Sequence, residues 1–409
     1  MKFILLLFIL SFVFTAKTQN NLVPNSGFEE VPNCDIFTAS INAAPPWTNP
    51  TEFGTADLLS FCNTDYIYWM SEMQLPHSGI SYAGFYTGEQ YTDVPLAHDA
   101  VEYIQAPLLD SLSSSKIYFT RFFLSLAEFG RYATNNVGMY FSDTAIYRTG
   151  IGYDYMLLDF NPQILPFDNP VIKDTIDTTW FKVEAIYTAH GGEKFITIGN
   201  FNNDNETLFE NYIPPTNNWV GVGDDAYYFI DDISITPIDS LPGGLPANAG
   251  PDQTIYIQDS VFIGQRIANL NCNWYELGGN QIASNTSGLY VQPNQTTTYV
   301  VEQILGTDIS YDTCTVFVIG LGVEENLQQH LKFYPNPNNG EFTLELPMQL
   351  DLLTVQLKDM TGKVLSKTTY KTNEQPIHVK STLNSGMYYI EILTDFDQLI
   401  FIDKIMILN

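Results

Sequence analysis

The chain has 409 residues, of which 45% are hydrophobic and only 15% charged, and its formal net charge is −29. That length suits two or three domains, and the largely uncharged polar remainder predicts an extracellular all-β protein rather than a helical cytosolic enzyme. The acid excess repels nucleic acid and anionic lipid and suits hard cations, calcium in particular.

Lys2 precedes an apolar run from Ile4 to Phe14 that only Ser11 interrupts. The run is too short to span a bilayer and has the length of a signal-peptide core, so residues 1–18 read as a leader cleaved after Thr18. No later segment is apolar enough to cross a membrane. Between the leader and Lys332 stand 8 basic and 37 acidic residues, so this middle part carries the whole excess of charge.

The first block spans residues 19–238. Short alternating runs predict strands at Ile117 to Leu124, Asn136 to Phe141, Phe181 to Tyr187, Phe195 to Phe201 and Tyr227 to Thr236. Turn residues separate them, which is the pattern of a jelly-roll β-sandwich. "NLVPNSGFEE" opens the block and "YYFIDDISI" closes it. Pairing of first and last strands brings Glu29 and Glu30 near Asp231 and Asp232, and a hard cation needs such oxygens from separate strands. By strand period Phe229, Asp231 and Ile233 share one face, where an acid among apolar neighbours is costly unless paired or metal-bound.

The opening "NSGFE" and the closing "YFIDDISI" resemble galactose-binding-like carbohydrate-binding modules. With "APPW", "LPHSGISYAGFY", "EYIQAPL", "RYATNNVGMYFS" and "GGEKFITIGNF", the block also resembles an uncharacterised first domain common in cargo of the type IX secretion system. The resemblance implies a structural calcium held by Glu29 with Asp231 or Asp232, and a glycan as ligand. Rings stack on pyranose faces while amides and acids bond hydroxyls. The candidate ligand residues are therefore Trp47, Tyr66, Trp69, Tyr86 and Tyr91, with Glu89, Gln90, Asn135 and Asn136 as polar partners. No G-x-S-x-G, H-E-x-x-H or phosphate loop appears, and His77, His98 and His190 are scattered beside turn residues and read as surface or structural groups. A non-enzymatic binding protein is expected; the alternatives are a jelly-roll glycoside hydrolase or other hydrolase, which needs two positioned carboxylates, and a purely structural or adhesive component.

Residues 239–250, "DSLPGGLPANAG", form a Pro/Gly hinge. Residues 251–320 carry β runs at Thr254 to Ile257, Cys272 to Tyr275, Thr298 to Gln303 and Thr313 to Ile319. "ANAGPDQTIYIQDSVFIG", "CNWYELGG" and "DTCTVFVIG" resemble the PKD- or Ig-like modules of bacterial surface proteins, which implies a small sandwich acting as a spacer. In an oxidising compartment four cysteines allow three pairings; the local one, Cys34 with Cys62 and Cys272 with Cys314, is expected. Trp274 then packs in the core on the second bridge.

Residues 321–330 read as a second linker and 331–409 as a last block. Phe342, Leu344 and Leu346 alternate with Thr343 and Glu345; Leu353, Val355 and Leu357 alternate with Thr354, Gln356 and Lys358. This is the alternation of a compact antiparallel sandwich. "FYPNPNNGEFTLELP", "LKDMTGKVL", "LNSGMYYIEI" and "KIMIL" resemble, in order, the C-terminal sorting domain of type IX (Por) secretion. That implies handling by the type IX machinery, passage across the outer membrane, and release or attachment at the cell surface.

Overall fold

The computed structural model describes residues 21–32, 40–62, 74–89, 100–127, 130–150, 156–173, 180–212, 225–319, 331–346, 352–372, 376–394 and 399–408. The expected leader, Cys34, Tyr66, Trp69, Gln90, Tyr91, His98 and the linker at 321–330 lie outside these residues. The chain is all-β as its composition predicts: apart from 3-10 turns at Ile41–Ala43 and Ile238–Ser240, every regular element among the described residues is a strand. It divides into two compact units, residues 1–317 and 318–409.

The first ten strands are β1 (Asp57–Ser60), β2 (Ser81–Glu89), β3 (Tyr103–Pro107), β4 (Ile117–Leu126), β5 (Tyr132–Thr134), β6 (Val137–Ser142), β7 (Phe181–Thr188), β8 (Phe195–Asn200), β9 (Phe209–Asn211) and β10 (Asp225–Pro237). One sheet runs β1-β2-β10-β4-β7, a second runs β3-β8-β6, and β5 pairs with β9. Alternate residues of the two larger sheets, among them Phe85, Phe122, Leu124, Ile196, Ile198 and Ile230, fill a shared core. The last strand, β10, is inserted between β2 and β4. The N-terminal segment lies along it: Leu22 N–H donates to Ile235 O, Ile233 N–H donates to Ser26 O, and the Asn21 amide bridges Ile233 O and Ile235 N–H. The start and the end of the first module thus meet, as the jelly-roll reading requires.

The next eight strands are β11 (Gln253–Tyr256), β12 (Val261–Gly264), β13 (Ile267–Ala268), β14 (Asn271–Glu276), β15 (Gln281–Ala283), β16 (Gly288–Val291), β17 (Thr297–Leu305) and β18 (Asp308–Ile319). They form a sheet β11-β18-β17-β14-β15 and a pair β12-β16. Trp274 is fully buried and donates its indole N–H to Thr286 O. The expected Cys272–Cys314 bridge does not form: both are buried free thiols. The reason is register. Cys272 lies opposite Gln303 and Cys314 opposite Tyr299 on the two sides of β17, so they are two strands and four residues apart in one sheet. At about 4.8 Å per strand and 3.3 Å per residue that is roughly 16 Å, far beyond the roughly 4.4–6.8 Å a disulfide spans. Cys62 is disulfide-bonded; its expected partner lies outside the described residues. The second module is also built onto the first, because β13 pairs in parallel with β7, Ile267 opposite Glu184 and Ala268 opposite Ala185.

The second unit comprises β19 (Lys332–Tyr334), β20 (Glu341–Glu345), β21 (Leu352–Lys358), β22 (Val364–Lys371), β23 (Ile377–Lys380), β24 (Gly386–Thr394) and β25 (Leu399–Ile407). Sheets β19-β20-β23 and β22-β21-β24-β25 enclose Phe342, Leu344, Val355, Ile390 and Ile405. In "FYPNPNNGEF" the asparagines fasten the turn to the last strand. Asn336 donates to Lys404 O and accepts from Met406 N–H; Asn338 N–H donates to Met406 O. Thr354 and Gln356 face away from the core as expected, yet both are buried, because β21 is flanked on both sides by β22 and β24.

Candidate functional site

The sequence "FIDDI" makes an irregularity that organises the first module. Asp231 lies opposite Phe123 and Ser234 opposite Arg121, so β10 carries one residue more than β4 at this point. Asp232 takes up the excess with φ +49°, a left-handed conformation that Asp and Asn tolerate better than most residues. The bulge corrects the expected facing. Phe229 points to a cluster with Tyr82 and Tyr227 on the outer side of the sheet, whereas Ile233 joins Ile230 and Ile235 in the core. Strict alternation would have kept Phe229 and Ile233 together.

Three carboxylates gather around the bulge and the loop 77–81. Asp231 is fully buried; its oxygens accept from Ser78 N–H at 3.1 Å and Asp232 N–H at 2.7 Å. It has no ion-pair partner among the described residues, and burial pushes its carboxyl from 3.8 to about 8. Asp232 accepts from Ser78 Oγ at 2.9 Å and meets His77 Nδ1 at 2.6 Å. Glu29 Oε1 accepts from Ile80 N–H at 2.8 Å and Ser81 N–H at 2.9 Å. Two glycines make the room. A Cβ on Gly27 would stand 3.3 Å from an Asp232 oxygen and 3.5 Å from an Asp231 oxygen. One on Gly79, at φ +66°, would stand 2.2 Å from Glu29 Oε1. Glu30 is exposed, with its backbone tied to Asn25, and takes no part. Among the described residues no three acid, His or Cys groups close on a single point as a metal cluster.

Beside the bulge a groove of about 890 Å³ runs over the outer face of β4 and β10. Its walls include Phe119, Arg121, Phe123, His77, Ser234 and Asp232, the last being its sole carboxylate among the described residues. The His77 ring stacks on Phe123 at 3.6 Å and 19°, and meets Trp180 edge-on at 6.1 Å. His77, set aside in the sequence as a turn residue, is therefore part of the site; what hid it is that Asp232 lies 155 positions away in the chain.

The sequence-derived ligand residues fare differently. Trp47 is 1% exposed, packs on Phe28 at 5.1 Å and donates its indole N–H to Asn25 O; it is core, not a sugar platform. Asn135 is buried and accepts from Leu208 N–H, and Asn136 is buried, donates to Glu206 O and accepts from the Asn169 side-chain amide; both amides tie loops of the fold together. Tyr86 is half-buried, edge-on to Tyr227 at 4.9 Å, and Glu89 ends β2 opposite Asp225. The buried Glu102 and the half-buried Asp57 escaped the sequence reading. Glu102 accepts from Thr55 N–H at 2.8 Å, Thr55 Oγ1 at 2.7 Å and Tyr86 N–H at 3.2 Å. Asp57 accepts from the Tyr227 hydroxyl at 2.6 Å, and burial raises it to about 7. The signal for Glu102 was a lone charge alternating with Val101 and Tyr103 in a β run.

These features define a modular all-β protein: two joined sandwiches in one unit and a terminal sandwich in another. Residues 332–407 match the family described as the secretion system C-terminal sorting domain. That tail marks export by type IX secretion to the cell surface or extracellular space. No helix among the described residues is long and apolar enough to cross a membrane. A search of curated proteins finds no match. Among solved structures, the N-terminal CBM22-1-CBM22-2 tandem domain from Paenibacillus barcinonensis Xyn10C is 10% identical over 91% of this chain and 85% of that one, with a TM-score of 0.28. The fibronectin(III)-like modules of Clostridium thermocellum CbhA are 13% identical over 38% and 90%, with a TM-score of 0.23. A two-domain fibronectin type III segment of chicken tenascin is 11% identical over 36% and 90%, with a TM-score of 0.21. Likenesses this slight carry no argument about ligand or chemistry.

Proposed function

We propose that this is a secreted, non-enzymatic binding protein whose jelly roll holds a glycan in the groove over β4 and β10. The observation that carries the reading is the composition of that groove. Phe119, Phe123 and His77 present ring surface, while Arg121, Ser234 and Asp232 present hydrogen-bonding groups. A pyranose needs both. Hydrolysis calls for two facing carboxylates, and among the described residues the groove offers Asp232, already engaged by His77 and Ser78.

A structural calcium at the bulge belongs to the same reading. The donors are all oxygen, which suits a hard cation, and the buried Asp231 has no ion-pair partner among the described residues. Glu29 and Asp231 would hold the ion with neighbouring carbonyls, supplying the positive charge that burial demands. The ion would tie the N-terminal segment to β10.

A glycan-array screen of the chain, followed by titration calorimetry on the best oligosaccharide, tests the groove. Phe123→Ala should weaken binding by about tenfold, as loss of a stacking ring worth ~1.4 kcal/mol implies. Unchanged affinity in that variant would place any ligand elsewhere.

A further inference from the structure

On its β7 side the outer face of the first module continues into a second cleft of about 630 Å³. In the register of β4 and β7, Phe123 lies opposite Lys182 and Arg121 opposite Glu184, so the cleft borders the groove. Its walls include Trp180, Phe167, Lys173, Lys182, Glu184 and Arg266. The chain has only 17 Lys and Arg against 46 Asp and Glu, yet three of those cations meet here around one acid. The cleft is preformed. Parallel pairing of β13 with β7 fixes the far wall, Asn269 donates to Gln163 O, and Phe167 meets Phe262 edge-on at 6.0 Å.

The three cations differ in their engagement. Lys182 pairs with Glu184 at 2.9 Å and Lys173 pairs with Glu210. Arg266 has no ion pair among the described residues. Its guanidinium lies 3.9 Å over the Phe262 ring and donates to the Tyr290 hydroxyl at 3.1 Å. A guanidinium has five N–H donors in a rigid fork, so one hydrogen bond and one stacked face hold it in place with donors to spare. Exposed pairs such as those of Lys173 and Lys182 are worth little and exchange readily for a ligand carboxylate.

We infer that this cleft recognises the carboxylates of an acidic polysaccharide, a uronate-bearing polymer whose neighbouring sugars lie in the groove. The inference rests on the groove reading and adds the charge class of the ligand. Arg266 takes a uronate carboxylate through its planar fork, Trp180 and Phe167 offer apolar surface to the ring, and the lysines contribute point charge. An anionic ligand approaching an acidic protein needs such an island of positive potential.

Titration of the full chain with a galacturonate hexamer and with the neutral galactose hexamer tests this. The uronate should bind the more tightly, and its affinity should fall steeply as salt rises to about 0.5 M, because screening weakens exposed charge pairs. Arg266→Gln and Lys173→Gln should each lower uronate affinity by about tenfold, the scale of one lost charge-assisted contact, and leave neutral binding unchanged. Lys173 is exposed and outside the core, so its variant stands if Arg266→Gln does not fold. Equal affinity for the two hexamers, or unaltered uronate binding in both variants, overturns the inference and leaves the groove intact. Uronate binding lost in Arg266→Gln but indifferent to Phe123→Ala upholds the cleft and sinks the groove. A folded chain that binds neither hexamer overturns the inference.

Discussion

Asp231 shows how one buried side chain ties stability to pH and to metal. Its carboxyl titrates near 8 in the folded chain, against an ordinary value of 3.8, and desolvation is the main cause. Between those values the folded state keeps a proton that the unfolded state has released. Stability is therefore full below the lower value, falls as pH rises through the window, and is flat above the upper one. Asp57, raised to about 7 by burial, adds the same sign over a narrower range. In chelator, the melting temperature should fall as pH rises from about 4 to about 8. Millimolar calcium should flatten that fall, and Asp231→Asn should abolish the calcium response; identical curves with and without calcium would remove the ion from the site. The cysteines offer a second check at this scale. Burial pushes the Cys272 thiol up to about 12 and Cys314 to about 11, so neither reacts as a thiolate while folded. A thiol reagent should find these two groups only after denaturation.

At the scale of elements, the bulge in β10 decides which residues the first module buries. With Asp232 in place, Ile233 and Ile235 are both fully buried. Inserting one glycine after Asp232 would turn both to the outer face, since a one-residue slip reverses every later side chain. Losing burial of two isoleucines costs roughly 3–6 kcal/mol, enough to threaten a marginally stable domain. Urea unfolding should show a sharply lower midpoint for the insertion. Deleting Asp232 leaves Ile233 two residues after Ile230 and so on the core face, and Asp232→Gly keeps a residue at ease with positive φ, so both should stay much closer to the parent. Equal midpoints for insertion and parent would mean that the register absorbs a further residue. The β7–β13 pairing belongs to this scale too, because it makes the second module a wall of the basic cleft rather than a spacer alone.

For the whole molecule, the division into residues 1–317 and 318–409 sets the sorting tail apart from the unit that holds the proposed binding groove. The sorting tail has its own core, from Leu331 and Phe342 to Ile405, and carries little of the excess charge. Truncation before Leu331 should leave the first unit folded and its ligand binding unchanged, while the protein accumulates in the periplasm. Normal delivery of the truncated chain to the surface would show that the tail is dispensable for sorting.

Several layers were legible in the residues alone. Strand positions such as Ile117 to Leu124 and Tyr227 to Thr236 follow from two-residue alternation, which is a local property. The sorting tail follows from motifs whose turn residues sit close together in the chain. The acids at Glu29 and at Asp231 and Asp232 could be named because the two ends of a jelly roll must meet. Tertiary structure decided the rest. Trp47 became core and His77 became site because burial depends on which distant strand lies over a residue. Cys272 and Cys314 stayed apart because register across β17, rather than their nearness in sequence, sets their separation. The bulge at Asp232 broke the alternation that placed Ile233 with Phe229. The basic cleft joins Lys173, Lys182 and Arg266 from two modules, and no local pattern records a pairing that only the folded edge of β7 creates.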